Sequence, residues 1–154
     1  MTGPSEDSDF LHAFESQAIP LSEWSHRCHV RMAYLYLRAH GYDEGLRRIR
    51  DGINALNASH GDAIPKDQVD RGYHETLTVA WARVIAASMR GRDPGTDFDA
   101  FAAEHPHLLQ KTLLRVFYSR ARMMTWEAKR GFVESDLLPL PAPSDPDAGR
   151  APRQ

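Results

Sequence analysis

The 154-residue sequence has a single cysteine, Cys28, and lacks any long apolar run. One thiol excludes a disulfide within the chain and a zinc site built from four cysteines, and it favours the reducing environment of the cytoplasm. No apolar run approaches the roughly 20 residues that cross a bilayer, so we expect no membrane partner. The opening stretch MTGPSEDSDF is acidic and polar, unlike a signal peptide.

The sequence also lacks a strong excess of charge of either sign. Lysine and arginine total 19 and aspartate and glutamate total 21, which gives a net charge of −2 at pH 7. Because the arginines are spread along the chain, no basic stripe marks a surface for nucleic acid, and we expect no such partner. The pattern leaves the oligomeric state open.

Strand alternation is absent as well, whereas a helical period of apolar residues runs through most of the chain. Serine, threonine or aspartate marks several helix starts, and glycine marks several helix ends. The predicted helices cover residues 22–40, 44–60, 73–90, a short stretch from 97, 106–123 and a short stretch from 126. These segments predict an all-α, single-domain bundle of about four main helices plus short helices.

The two ends of the chain are predicted to be disordered. Residues 1–8 are polar, and residues 139–154 are rich in proline with almost no apolar content, so neither segment can bury itself. The helical domain therefore covers residues 9–138. The stretch FVESDLLPLP, residues 132–141, is predicted to cover the bundle, with Phe132, Val133 and Leu137 as anchors.

Two histidines stand three positions apart in the stretch SHRCH. On a helix, the Cβ atoms of His26 and His29 lie about 5–6 Å apart, close enough for both rings to bind one ion. The alternative is a pair of histidines that only make hydrogen bonds in the first turns of the helix. Cys28 falls on a neighbouring stripe, which favours a small packing residue over a thiolate nucleophile.

The stretch GYHET supplies the partners that a metal site at His26 and His29 needs. A divalent ion such as zinc, iron, manganese or copper accepts imidazole and carboxylate ligands together. We predict His26, His29 and His74 as metal ligands, with Glu75 as a hydrogen-bond acceptor or general base. The reverse assignment of His74 and Glu75 stays open, because adjacent helical residues point about 100° apart.

The later part of the chain offers groups for an anionic substrate. The stretch FYSRARM places Tyr118 and Arg120 among apolar residues, and the planar fork of arginine suits carboxylate or phosphate. Asn57 flanks the buried stripe of the second predicted helix and is predicted to line a polar cavity. The alternative for these side chains is a solvated polar face.

Several of these stretches together resemble a family of small bacterial all-α proteins that has no assigned activity. The shared words are EWSHRCHVRMAYLYL, INALNASHG, GYHETLT, FYSRARM and FVESDLLPLP, and they extend over roughly residues 10–141. The resemblance implies that His26, His29, His74 and Glu75 belong to the family pattern. It implies no reaction.

Two functions from different classes follow. The first is a mononuclear, non-haem metal enzyme acting on a small anionic substrate, either hydrolytic or oxidative. The second is a non-catalytic helical module that binds a small anion or a partner protein.

Overall fold

The structure, a computed structural model, describes residues 4–91, 93 and 95–143. This part of the chain contains helices and no strand, so the predicted all-α single domain is confirmed. The α-helices are α1 (Pro4–Glu15), α2 (His26–His60), α3 (Glu75–Met89), α4 (Phe98–Glu104), α5 (Arg120–Met123) and α6 (Trp126–Arg130). Short 3-10 helices cover Leu21–Glu23, Gly61–Ala63, Pro106–Leu109 and Lys111–Val116. In the described part, no helix has both the length and the apolar character to span a membrane.

Helix α2 lies at the centre of the fold. Ser25 caps its start, because the serine hydroxyl accepts a hydrogen bond from the Cys28 amide at 3.2 Å. All side chains from Met32 to Leu37 are buried, since α1, α3 and α4 pack around this part of the helix. Gly41 interrupts the helix with φ 78° and ψ −175°, a backbone conformation that suits glycine. Two helices were predicted here, and they form one element with a break at the predicted glycine.

The first helix is fixed to the rest of the bundle by a buried ion pair. Arg31 donates from Nε to Oδ1 of Asp7 at 2.9 Å, and Oδ2 of Asp7 accepts from the Phe98 amide at 3.0 Å. Asp7 thereby joins α1 to α2 and α4. Residues 4–8, which belong to the segment predicted to be disordered, form the start of α1 at Pro4, and Asp7 is 1% exposed. Residues 1–3 and 144–154, also predicted to be disordered, lie outside the described residues.

The prediction of one long helix over residues 106–123 is wrong. The chain is extended at Gln110, with φ −89° and ψ 110°, and again at Ser119, with φ −70° and ψ 157°. Ser119 donates from its amide and its hydroxyl to Asp136, and its hydroxyl also caps α5. These side-chain hydrogen bonds offer the backbone an alternative to a continuous helix.

The segment after α6 runs across the bundle, as predicted for FVESDLLPLP. Thr76 on α3 donates to the Gly131 carbonyl at 3.0 Å and accepts from the Val133 amide at 3.1 Å. Val133 is buried, which agrees with its role as an anchor. Leu137 is 54% exposed, so its predicted role as an anchor is wrong; only its amide is held, by the Phe117 carbonyl at 2.9 Å.

Candidate functional site

A cavity of about 440 Å³ lies between the first turns of α2 and the packed face of α3. Its volume is within the range of roughly 300–1,000 Å³ found for small-molecule sites. The inner wall is apolar and includes Met32, Ile49, Ile53, Leu77 and Ile85. Aromatic and polar side chains complete the wall, including Trp24, His26, His29, Tyr73, Trp81 and Lys111. His74 also lines the cavity, so the three histidines predicted as ligands share one cavity.

The rings of His26 and His29 are held by hydrogen bonds on the α2 side of the cavity. Nε2 of His26 lies 2.9 Å from the Leu108 carbonyl, which only accepts, so Nε2 carries the proton of the neutral ring. Nε2 of His29 accepts from the indole N–H of Trp24, so the proton of that neutral ring is on Nδ1. Each ring therefore has one nitrogen already bound to the protein.

Both imidazoles are kept neutral near pH 7. Burial lowers the pKa of His26, the hydrogen bond to Leu108 partly offsets this effect, and the charge of Lys111 lowers it further. Burial lowers the pKa of His29 to about 4, with smaller contributions from His26 and Lys111. Neutral imidazoles can accept or donate hydrogen bonds without adding charge to the cavity.

His74 uses both of its ring nitrogens to hold the backbone. Nδ1 accepts from the Leu77 amide at 3.1 Å and so caps α3, while Nε2 donates to the Met123 carbonyl at 3.0 Å. The side chain is 4% exposed. Burial lowers the pKa of His74, and the charge of Lys129 adds to that effect.

The arrangement of the described residues does not fit the predicted metal site. Among residues 4–91, 93 and 95–143, no group of three or more histidine, cysteine, aspartate or glutamate side chains stands where it could hold a metal ion. His74 has no free lone pair, and one nitrogen of His26 and of His29 is occupied. Metal binding by His26, His29 and His74 stays a prediction. It would require these rings to give up the hydrogen bonds described above.

Glu75 is turned away from the cavity and forms an ion pair. Both of its carboxylate oxygens accept from Arg50, at 2.9 Å and 2.7 Å, and the Tyr73 hydroxyl donates to the same carboxylate. Burial raises the pKa of Glu75, but the hydrogen bonds from Arg50 and Tyr73 outweigh it, so the net shift is downward. A carboxylate in this environment is a weak base, which does not support the predicted catalytic role.

The residues predicted to bind an anionic substrate lie elsewhere. Arg120 is exposed at the start of α5, and Tyr118 is buried with its hydroxyl donating to the Val133 carbonyl at 2.6 Å. Neither Arg120, Tyr118 nor Asn57 lines the cavity, and neither does Cys28. The three residues predicted to bind the substrate therefore do not share the cavity with His26, His29 and His74.

Sequence reasoning missed Lys111 and the two tryptophans of the cavity. Lys111 follows Gln110, where the predicted long helix breaks, so its position at the cavity depends on a turn that the helical pattern did not indicate. Trp81 lies within the predicted helix 73–90, where an apolar residue at a helical period is typical of the core. The sequence did contain one indication that Trp81 lies near His74. Trp81 follows His74 by seven residues, and residues i and i+7 share a helix face.

Trp24 and Trp81 pack against the two histidines of α2. The ring centroids of Trp24 and His29 are 4.8 Å apart, and those of His26 and Trp81 are 4.6 Å apart. Both pairs are tilted, at 50° and 55°. The four rings, Trp24, His29, His26 and Trp81, are called the aromatic wall below.

Comparisons with protein-family models, with curated proteins and with solved structures give no match to the chain, so the resemblance described above stays a prediction.

Proposed function

We propose that the chain binds a small anionic molecule with a largely apolar body in the cavity between α2 and α3. The observation that carries this proposal is the position of Lys111 beside a preformed cavity of about 440 Å³ with an apolar inner wall. An apolar pocket with a few polar groups at one side is the usual form of a small-molecule site.

The charges near the cavity favour an anion. Lys111 is exposed and forms no ion pair with another of the described residues, so its ammonium is available to a ligand. Asp70 also lines the cavity, but its charge stabilises the ammonium of Lys129, partly offsetting the burial that lowers the pKa of Lys129. Asp70 itself forms no ion pair among the described residues, so the lining carries one positive and one negative charge. The charge that acts on His26 and His29 is that of Lys111, so the cavity is positive beside these two rings.

Neutral His29 adds a hydrogen-bond donor to the same side. Because its Nε2 accepts from Trp24, the remaining Nδ1–H is the group that this ring can offer. A carboxylate accepts such hydrogen bonds together with one from an ammonium group. Lys111 and His29 thus form the polar part of the proposed site, and Met32, Ile53 and Leu77 contribute to its apolar part.

Calorimetric titration with a panel of monocarboxylates of four to ten carbons tests the proposal. We expect one-to-one binding of at least one member, and about ten- to hundredfold weaker binding to Lys111→Met, since a charged hydrogen bond contributes roughly 1.5–3 kcal/mol. Arg120→Met is the matched control, because Arg120 is exposed and outside the cavity.

Two results would contradict the proposal. One is the absence of binding for every carboxylate of the panel. The other is an equal loss of affinity in Lys111→Met and Arg120→Met, which would assign the binding to charge in general and not to the cavity. The metal-dependent enzyme stays a separate prediction, tested through the stability measurement at His74 described below.

A further inference from the structure

We infer that the ligand of the cavity is a planar aromatic carboxylate, with one ring packed against the aromatic wall. This inference rests on the proposed binding of a small anion and narrows it to a chemical class. It is carried by the fixed orientation of the four rings and by the position of Lys111 beside them.

The ring of Trp24 is fixed from two directions. Its indole N–H donates to Nε2 of His29, and its ring stacks on Phe14 with a centroid distance of 5.2 Å and an interplanar angle of 17°. Phe14 is itself 1% exposed and packed in the core. Trp24 therefore presents its surface to the cavity without having to give up side-chain freedom when a ligand binds.

The second half of the aromatic wall is fixed in the same way. His26 is held by the Leu108 carbonyl, and its ring packs against Trp81 on α3. Tyr73 also lines the cavity, and its hydroxyl is held by Glu75. Preformed ring surfaces bind a flat aromatic ring through offset stacked or edge-on contacts that a saturated ring of the same size cannot make.

The position of the charge sets the position of the carboxylate. Lys111 lines the cavity together with His26 and His29, and it stands three residues after Leu108, whose carbonyl holds the His26 ring at 2.9 Å. A carboxylate that meets Lys111 therefore lies close to the aromatic wall. This favours ligands in which the carboxylate is attached to an aromatic ring directly or through one carbon.

A matched set of three ligands separates the contributions of ring and charge. Phenylacetate has both features, cyclohexylacetate keeps the charge and the ring size without the aromatic system, and phenylacetamide keeps the aromatic ring without the charge. Dissociation constants are measured by calorimetry for the wild type, for Trp81→Leu and for Trp126→Leu. Trp126 is the control, because it is 39% exposed, packs on Arg130 and lies outside the cavity.

We expect phenylacetate to bind on the order of tenfold more tightly than cyclohexylacetate, from two ring contacts. This ratio should fall in Trp81→Leu and stay unchanged in Trp126→Leu. Equal affinities for phenylacetate and cyclohexylacetate in the wild type would overturn the aromatic inference and leave anion binding intact. Equal affinities for phenylacetate and phenylacetamide would overturn the proposed anion binding. No binding of phenylacetate, with binding of another carboxylate of the panel, would overturn the aromatic inference alone, and no binding of any carboxylate would overturn both.

The wild-type ratio decides the inference even if Trp81→Leu does not fold. A second readout is intrinsic fluorescence of Trp126→Leu, in which the remaining tryptophans, Trp24 and Trp81, both line the cavity. Saturable quenching by phenylacetate at the concentrations seen in calorimetry is expected. Unchanged fluorescence at a saturating concentration would overturn the placement of the ligand at the aromatic wall.

Discussion

At the scale of single residues, His74 shows how a side chain in a cavity wall can serve the fold. Its two ring nitrogens hold the Leu77 amide and the Met123 carbonyl, which belong to segments 46 residues apart. Protonation of Nδ1 would place a proton against the Leu77 N–H and break the cap. The neutral ring with its proton on Nε2 is thus the form that the folded chain requires.

Replacement of His74 by alanine should lower the free energy of unfolding by about 2–4 kcal/mol. Loss of the cap contributes about 1 kcal/mol, and the Met123 carbonyl left without its donor adds about 1–3 kcal/mol. His74→Asn should recover about 1 kcal/mol, because asparagine also caps helices well. Urea unfolding measures all three proteins, and an equal loss in both variants would show that the cap does not contribute.

The same measurement with a chelator tests the metal hypothesis. If His74 acts through the backbone, then a chelator leaves the unfolding midpoint of the wild type unchanged. A metal bound by His26, His29 and His74 would stabilise the folded state by mass action and its removal would lower the midpoint. A chelator-dependent midpoint in the wild type, absent from His74→Ala, would favour the metal site over the cap.

At the scale of elements, α1 and α2 approach closely at Gly52. A Cβ atom added to Gly52 would lie 2.7 Å from Cζ of Phe14, a ring that is 1% exposed and packed on Trp24. Alanine is favoured over glycine in a helix by about 1 kcal/mol, but overpacking in a core costs about 1–3 kcal/mol. Because the added Cβ would lie well inside van der Waals contact with a packed ring, we expect the overpacking cost to fall in the upper part of its range. Gly52→Ala should therefore be destabilising by about 1–2 kcal/mol in urea unfolding.

Gly131→Ala is the control for Gly52→Ala, because an added Cβ at Gly131 meets no atom within 4 Å. Its free energy of unfolding should change little. If Gly52→Ala is as stable as the wild type, then α1 moves away from α2 without cost. In that case Phe14 does not fix Trp24, and the fixed orientation assumed for the aromatic wall would be wrong.

The elements that the sequence predicted well are those whose boundaries depend on nearby residues. The break at Gly41 and the end of α2 at His60 follow from local backbone preferences of glycine. The break at Ser119 depends on Asp136, a partner 17 residues further along the chain, and was missed. The break at Gln110 was missed as well. Lys111 was missed because it follows the break at Gln110, whereas the placement of His26 and His29 on one helix followed from helical spacing.

At the scale of the whole molecule, three histidines are neutral in the folded chain. The pKa values of His26, His29 and His74 are all lowered from an ordinary value of 6.5, chiefly by burial. Above pH 6.5 both the folded and the unfolded chains have neutral rings, so the stability is complete. Below pH 6.5 the unfolded chain takes up protons that the folded chain does not, and the stability falls.

We therefore expect the free energy of unfolding to decrease between pH 7 and pH 5, with net proton uptake on unfolding. For His29, whose folded pKa is about 4, the loss at pH 5 is roughly 2 kcal/mol, and His26 and His74 add to it. The carboxyl groups of Glu75 and Asp136 also have lowered pKa values, but stability from these groups is lost only as the pH falls through about 4 and below.

Urea unfolding at several pH values should show a shallower decrease in His29→Gln and the wild-type decrease in His107→Gln, since His107 is exposed. A free energy of unfolding that stays constant from pH 7 to pH 5 in the wild type would mean that these rings take up protons as readily in the folded chain as in the unfolded chain, so that burial does not lower their pKa values.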